Sequence, residues 1–145
     1  MTVEVRAGAL EPWRELAAYE TARGADRAVG AAAVFVGTMR DVNGGDAVVS
    51  MTLEHYPGMT ERHLEKISGE AAVRWNVIDT LIVHRVGELR PTDPIVLVAV
   101  WSAHRKDAFE ACRWLMEELK SNAPFWKKEQ LEGGSRWVEK NTPGY

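Results

Sequence analysis

Apolar and polar positions along this chain change period several times, and each change marks an element. Thr2 to Arg6 alternates as an edge strand does, and Pro12 to Ala22 repeats at helical spacing with Trp13, Leu16 and Ala17 on one face. A polar linker, Arg23 to Arg27, leads to the β-rich apolar run Ala31 to Gly37. Asn43-Gly44-Gly45-Asp46 predicts a turn, and Val48 to Tyr56 the strand that follows it. Pro57-Gly58 breaks the chain before a second helix, Thr60 to Trp75, whose Leu64, Ile67, Ala71 and Trp75 form a stripe. Val77 to Val86 and Ile95 to Trp101 predict strands joined through Gly87 to Pro94, and the unbroken run IVLVAVW predicts a central strand covered on both faces. A third helix, Arg105 to Lys120, precedes a terminal hairpin of Phe125 to Leu131 and Ser135 to Glu139 about Gly133-Gly134. Strand pairs mixed with strand–helix alternation predict an α+β domain rather than a doubly wound parallel sheet.

The third helix carries the first hint of chemistry. Lys120 continues the line Phe109, Cys112, Met116 at spacings of three and four, so it leaves the helix on the side expected to meet the core. Desolvation there would lower its pKa and favour a nucleophilic neutral amine, whereas a nearby anion would keep it charged. The plainer alternative is that Lys120 compensates the C-terminal end of the helix dipole. Lys127 follows across the Pro-aromatic turn of LKSNAPFWKKE, and extended backbone would put it on the same face as Phe125 and Leu131.

Composition narrows the function classes. The 145 residues, 46% hydrophobic with six tryptophans, suit a single domain spanning 1–145. A net charge of -3 speaks against a general nucleic-acid binder. The single cysteine, Cys112, allows no intrachain disulfide. With no signal-like apolar segment near Met1 and no long uncharged apolar run, the expectation is a cytoplasmic protein that does not engage a membrane.

Further cations stand at element ends. SAHR, Ser102 to Arg105, sits where a buried strand hands over to a helix, and free backbone N–H groups there attract anions. The competing reading makes Ser102 a helix cap and Arg105 a solvated side chain. FVGTMR likewise ends a strand with Arg40, whose planar fork suits phosphate or carboxylate. Other signals carry less. His55, His63, His84 and His104 have no metal-ligand spacing, so neither metal nor other cofactor is implied. Ser102 lacks a GxSxG elbow, and Cys112 reads as a small buried hydrophobe. Trp126 and Trp137 read as packing more readily than as a stacking platform.

FVGTMR, LEHYPGM, HRVGEL, SAHR, APFWKKE and RWVEK, in this order and spacing, resemble the catalytic (large) subunit family of molybdopterin synthase over about Gly30 to Lys140. The resemblance implies an α/β hammerhead fold with a mainly antiparallel sheet, and a homodimer within a heterotetramer. The small partner would be a ubiquitin-like, β-grasp sulfur carrier whose C-terminal Gly-Gly bears a thiocarboxylate. The substrate would be the pterin cyclic pyranopterin monophosphate (precursor Z), converted to the dithiolene of molybdopterin. By the same resemblance, substrate-binding positions fall on Thr38, Met39, Arg40, His104, Arg105, Lys120, Lys127, Lys128 and Glu129, with Lys120 and Lys127 catalytic. Thr38 stands where the family often has a basic residue. The residue chemistry agrees: a cyclic phosphate needs cations and no metal, and an external thiocarboxylate supplies the sulfur that Cys112 is too buried to relay. Lys127 could then act as general acid or base, and Lys120 could hold the partner's terminal carboxylate or transiently take its acyl group. A non-enzymatic anion-binding or partner-docking module is the rival reading, and the intact lysine pair argues against it.

Overall fold

The computed structural model describes residues 1–43 and 45–138. Its order is β1 (Thr2–Arg6), α1 (Pro12–Arg23), β2 (Ala31–Thr38), β3 (Val42–Asn43), β4 (Asp46–His55), α2 (Met59–Trp75), β5 (Val77–Arg85), β6 (Gly87–Leu89), β7 (Pro94–Ser102), α3 (Arg105–Ser121), β8 (Phe125–Leu131) and β9 (Gly134–Trp137). The main sheet runs β1-β5-β7-β2, with β1–β5 parallel and β5–β7 and β7–β2 antiparallel. A second, antiparallel sheet holds β3, β4, β8 and β9, with β6 on β4.

Alternation along the central strands divides the core. Ile82, Val96, Val98 and Val100 face α2 and α3, and the same cluster continues into Met51, Leu53 and Leu89 of the second sheet. Leu81, Val83, Leu97, Ala99 and Trp101 face α1 instead. β7 is buried from Ile95 to Ser102, as a strand covered on both sides must be, and it occupies the predicted central place.

Three sequence-based expectations change. The inner face of α1 is Pro12, Leu16 and Tyr19, while Trp13 is 64% exposed, because the helix is rotated to stack Tyr19 on Trp101. Phe109 is 68% exposed rather than buried. The stripe of α3 is centred on Ala108, Ala111, Leu115 and Leu119, so Cys112, Met116 and Lys120 lie on its margin and Phe109 lies beyond it. The stretch from Gly87 to Pro94 is not merely a connection, since Gly87–Leu89 pairs with Leu53–Met51. Of the expected terminal hairpin, Glu139 lies outside the described residues. Among those described, no helix is long and apolar enough to cross a membrane.

Candidate active site

The chain between α3 and β8 sets the site. The last turn of α3 closes with Asn122 N–H and Ala123 N–H both donating to the Glu118 carbonyl, and Phe125 N–H donates to the Ala123 carbonyl. Buried Thr60 reaches across from α2 and donates its hydroxyl to the Pro124 carbonyl at 3.2 Å. The turn is thereby pinned, and β8 leaves it paired to β4 with Phe125 opposite His55 and Lys127 opposite Leu53. On the far side of Lys127, its carbonyl accepts from Val138 N–H at 2.9 Å.

This path brings Lys120 and Lys127 together in a cavity of about 40 Å³, lined also by Leu53, His84, Leu119, Phe125 and Val138. Burial lowers the pKa of Lys120 to about 7, helped by the charge of Lys127 and a hydrogen bond with it. Burial also lowers Lys127, but there the same hydrogen bond and the charge of Glu129 work in the opposite direction. Both amines thus lie below the ordinary lysine value, Lys120 the more strongly shifted. His84 packs beside them, its ring stacked on Phe125 at 4.0 Å, and burial together with the Lys120 charge drives its pKa down to about 3. Sequence reasoning missed His84, although HRVGEL lies in one of the motifs; a histidine inside a buried strand was the available signal.

The remaining candidates fall into three places. Glu129 shares the face of Lys127 on β8, is buried, and pairs with Arg136 at 3.0 Å. Lys128 is on the opposite, exposed face, its ammonium 5.6 Å from the centre of the Trp137 ring. Trp126 and Trp137 are both surface residues, and Trp126 meets Tyr56 edge to face. At the end of β2, Thr38 and Arg40 are exposed, whereas Met39 is buried in the core. Met39 is tied through its backbone to Thr92 and Asp93, where Thr92 takes φ 78° to make the tight approach. This end of β2 lies beside Val96 of β7 and, through it, His84, so Arg40 emerges at the cavity end of the main sheet.

His104 and Arg105 are exposed at the opposite end. Ala31 pairs with Ser102 and Thr38 with Pro94, which separates the two ends of β2 by about 25 Å at ordinary strand rise. Arg105 and Lys120 are likewise about 22 Å apart along α3. One protomer therefore does not gather all the expected cations. Ser102 does not cap α3, because its hydroxyl donates to the His104 carbonyl at 2.6 Å and the N-terminus has no side-chain cap. Gly30 lets the preceding loop close on this corner: a Cβ there would lie 2.2 Å from the Ala103 carbonyl oxygen. Cys112 is buried and burial pushes its thiol up to about 11, so it is poorly suited to relay sulfur. Among the described residues, no group of three or more His, Cys, Asp or Glu is placed to hold a metal.

Residues 11–122 match the sequence profile of the MoaE protein family. The chain belongs to that family. It is 52% identical over 138 residues to the molybdopterin synthase catalytic subunit of Ralstonia nicotianae, covering 95% of this chain and 77% of that protein. The solved molybdopterin biosynthesis MoaE protein of Burkholderia ambifaria superimposes with a TM-score of 0.78 at 50% identity, over 94% of this chain and 88% of that one. The Staphylococcus aureus molybdopterin synthase structure gives 0.83 at 34% identity, over 94% and 96%. The MoaE fold thus carries the α+β, mainly antiparallel architecture expected from the sequence, and the lysine pair sits where its two sheets and α3 converge.

Proposed function

We propose that this MoaE chain is the catalytic subunit of a molybdopterin synthase, moving sulfur from the thiocarboxylated Gly-Gly tail of a small β-grasp partner onto cyclic pyranopterin monophosphate. The observation that carries the reading is the buried Lys120–Lys127 pair, both amines lowered by burial and Lys120 to about 7, lining one small cavity. A cavity of about 40 Å³ is too small for a pterin but suits the end of an extended glycine tail, which has no side chains to exclude. The pterin then lies at the mouth, on the side where Arg40 emerges. Lys127 as ammonium holds the thiocarboxylate anion and supplies a proton as the pterin side chain opens. Once the sulfur is bonded to the pterin, neutral Lys120 either accepts a proton or attacks the carrier's acyl carbon, forming an amide and losing a proton to solvent as the acyl C–S bond breaks and the sulfur stays on the pterin. Burial of Cys112 favours an external sulfur source. The same lone cysteine suits a cytoplasmic setting.

His104 and Arg105 join this reading through a second copy. A twofold axis near the middle of the β2–β7–α3 layer would exchange its two ends and bring them to the partner's Lys120 cavity. Glu129, Thr38, Met39 and Lys128 enter as shaping or rim residues rather than reacting groups. The test is dithiolene formation with thiocarboxylated partner, using Lys120→Ala, Arg105→Ala and a refolded equal mixture of the two. Each variant alone is expected to be nearly inactive, and the mixture to recover about a quarter of wild-type turnover, because half its dimers hold one intact site. An active Lys120→Ala protein would contradict the catalytic role, and a mixture without recovery would contradict the shared site. A docking module without chemistry would show no wild-type turnover at all.

A further inference from the structure

Thr60 is in the wrong place to cap a helix. Gly58 stands at the N-cap of α2, its N–H donates to the Glu61 carboxylate at 3.0 Å, and Thr60 comes two residues later, fully buried. A buried hydroxyl is unfavourable unless it is hydrogen-bonded, and this one both accepts and donates. Its oxygen accepts from Tyr56 N–H at 3.3 Å, and since a carbonyl can only accept, the hydroxyl proton goes to the Pro124 carbonyl at 3.2 Å. Thr60 N–H also donates to the Tyr56 carbonyl at 2.9 Å, so one residue holds both backbone groups of Tyr56.

The strand register explains why a side chain is needed there. β4 and β8 end their pairing at His55 opposite Phe125, and one step further the ladder would set Tyr56 opposite Pro124. Proline has no N–H to give to a ladder. The Thr60 hydroxyl stands between the Tyr56 N–H and the Pro124 carbonyl, in the place of a direct ladder bond, as a rung supplied by α2. On the other side of Pro124 the turn closes onto the end of α3, through Asn122 and Ala123 to the Glu118 carbonyl. Lys120 lies four residues before this rung and Lys127 three residues after it.

We propose that Thr60 is a positioning residue of the sulfur-transfer site: its hydroxyl sets the angle at which β8 leaves α3, and with it the placement of Lys127 against Lys120. This rests on the function proposed above and adds a residue to it. Among the described residues lining the cavity none belongs to α2, so Thr60 acts through the turn and not by contact with what the cavity holds. A displacement of about 1 Å at a reacting group is enough to cost on the order of 100-fold in rate.

Three variants separate the hydroxyl from packing. Thr60→Val keeps the shape without the hydroxyl, Thr60→Ala loses hydroxyl and methyl, and Thr60→Ser keeps the hydroxyl alone. With thiocarboxylated partner, Val and Ala are expected to lower kcat about 10–100-fold with KM for the pterin changed less than about threefold, while Ser stays within about threefold of wild type. A folded Val or Ala variant with wild-type kcat would overturn the proposal. So would equal losses in Val, Ala and Ser, which is the mark of packing alone. A second readout needs neither partner nor pterin: the Lys120 midpoint, followed by nuclear magnetic resonance of the lysine Cε–Nζ group. Burial is what lowers that midpoint, so in Val and Ala a loosened β8 should admit water and raise it by about one pH unit, with Ser unchanged. An unmoved midpoint in folded Val or Ala overturns the positioning role. Absence of wild-type sulfur transfer would instead count against the proposed function, and the midpoints would still decide on Thr60.

Discussion

The two faces of the main sheet treat buried charge in opposite ways. On the α1 face, the Asp79 carboxylate accepts from the Met1 amine at 3.0 Å, the Tyr19 hydroxyl at 2.9 Å, Arg23 Nε at 3.1 Å and the Thr80 N–H at 2.8 Å. Burial alone would raise its pKa, but the Met1 amine and the Tyr19 hydroxyl outweigh that and hold it below the usual carboxylate range. On the α2/α3 face, two amines share one cavity, burial lowers both, and among the described residues lining it none is a carboxylate. Matched charges explain themselves as structure. Amines that burial drives below their ordinary pKa oppose folding while they are charged and need a reason outside stability, and chemistry is that reason.

The strongest way to break this contrast is to remove the amine that burial shifts most. Lys120→Met is expected to lower sulfur transfer by ~10²–10⁴-fold while raising stability by ~1–4 kcal/mol, measured by turnover and by urea unfolding. The sign of the pH dependence follows from the lowered pKa. Between about pH 7 and the unfolded value near 10.4, the unfolded chain holds a proton that native Lys120 does not, so this residue makes stability rise with pH across that window. The variant should flatten that rise. If Lys120→Met is instead destabilised at pH 7, burying the amine carries no net cost and the two faces are alike.

Asp79→Ala examines the other face. Its loss leaves the Met1 amine and Arg23 without their carboxylate, and a decrease of ~1–3 kcal/mol is expected with turnover per folded molecule unchanged. Because the folded pKa of Asp79 is depressed, its contribution is complete above the unfolded value and disappears as pH falls through the folded one. The variant should therefore lose part of the acid sensitivity of wild type. A folded Asp79→Ala protein with impaired sulfur transfer would make the α1 face part of the site. The smallest effect is expected for Cys112→Ser, which should keep most activity and lose ~1 kcal/mol or more if the hydroxyl finds no partner. Abolished transfer in that protein, folded, would contradict an external sulfur donor.

Long apolar patterns were legible in the sequence because local periodicity decides them. β7 could only be a central strand, and Leu64, Ile67 and Ala71 of α2 are buried as their spacing required. α1 was misread because Tyr19 and Pro12, not Trp13, meet the sheet, a choice made by Trp101 about eighty positions away. β6 escaped notice since three residues carry no period, and only pairing with Leu53–Met51 makes them a strand. The lysine pair was visible from its place at the margin of α3 and on one face of β8. His84 was not, because alternation within a buried strand gives a polar residue no partner until the other sheet is in place. The distance of Arg105 from Lys120 was in fact readable, as it follows from the length of a single helix.

The claim that burial lowers both lysines, Lys120 the more strongly, is tested most directly by titrating them. Nuclear magnetic resonance of protein selectively labelled at the lysine Cε–Nζ group, assigned with Lys120→Met and Lys127→Met, follows each amine through pH 5 to 11. The structure predicts a Lys120 midpoint at about 7, with Lys127 losing its proton at higher pH than Lys120. Both amines titrating together near the ordinary lysine value would contradict it.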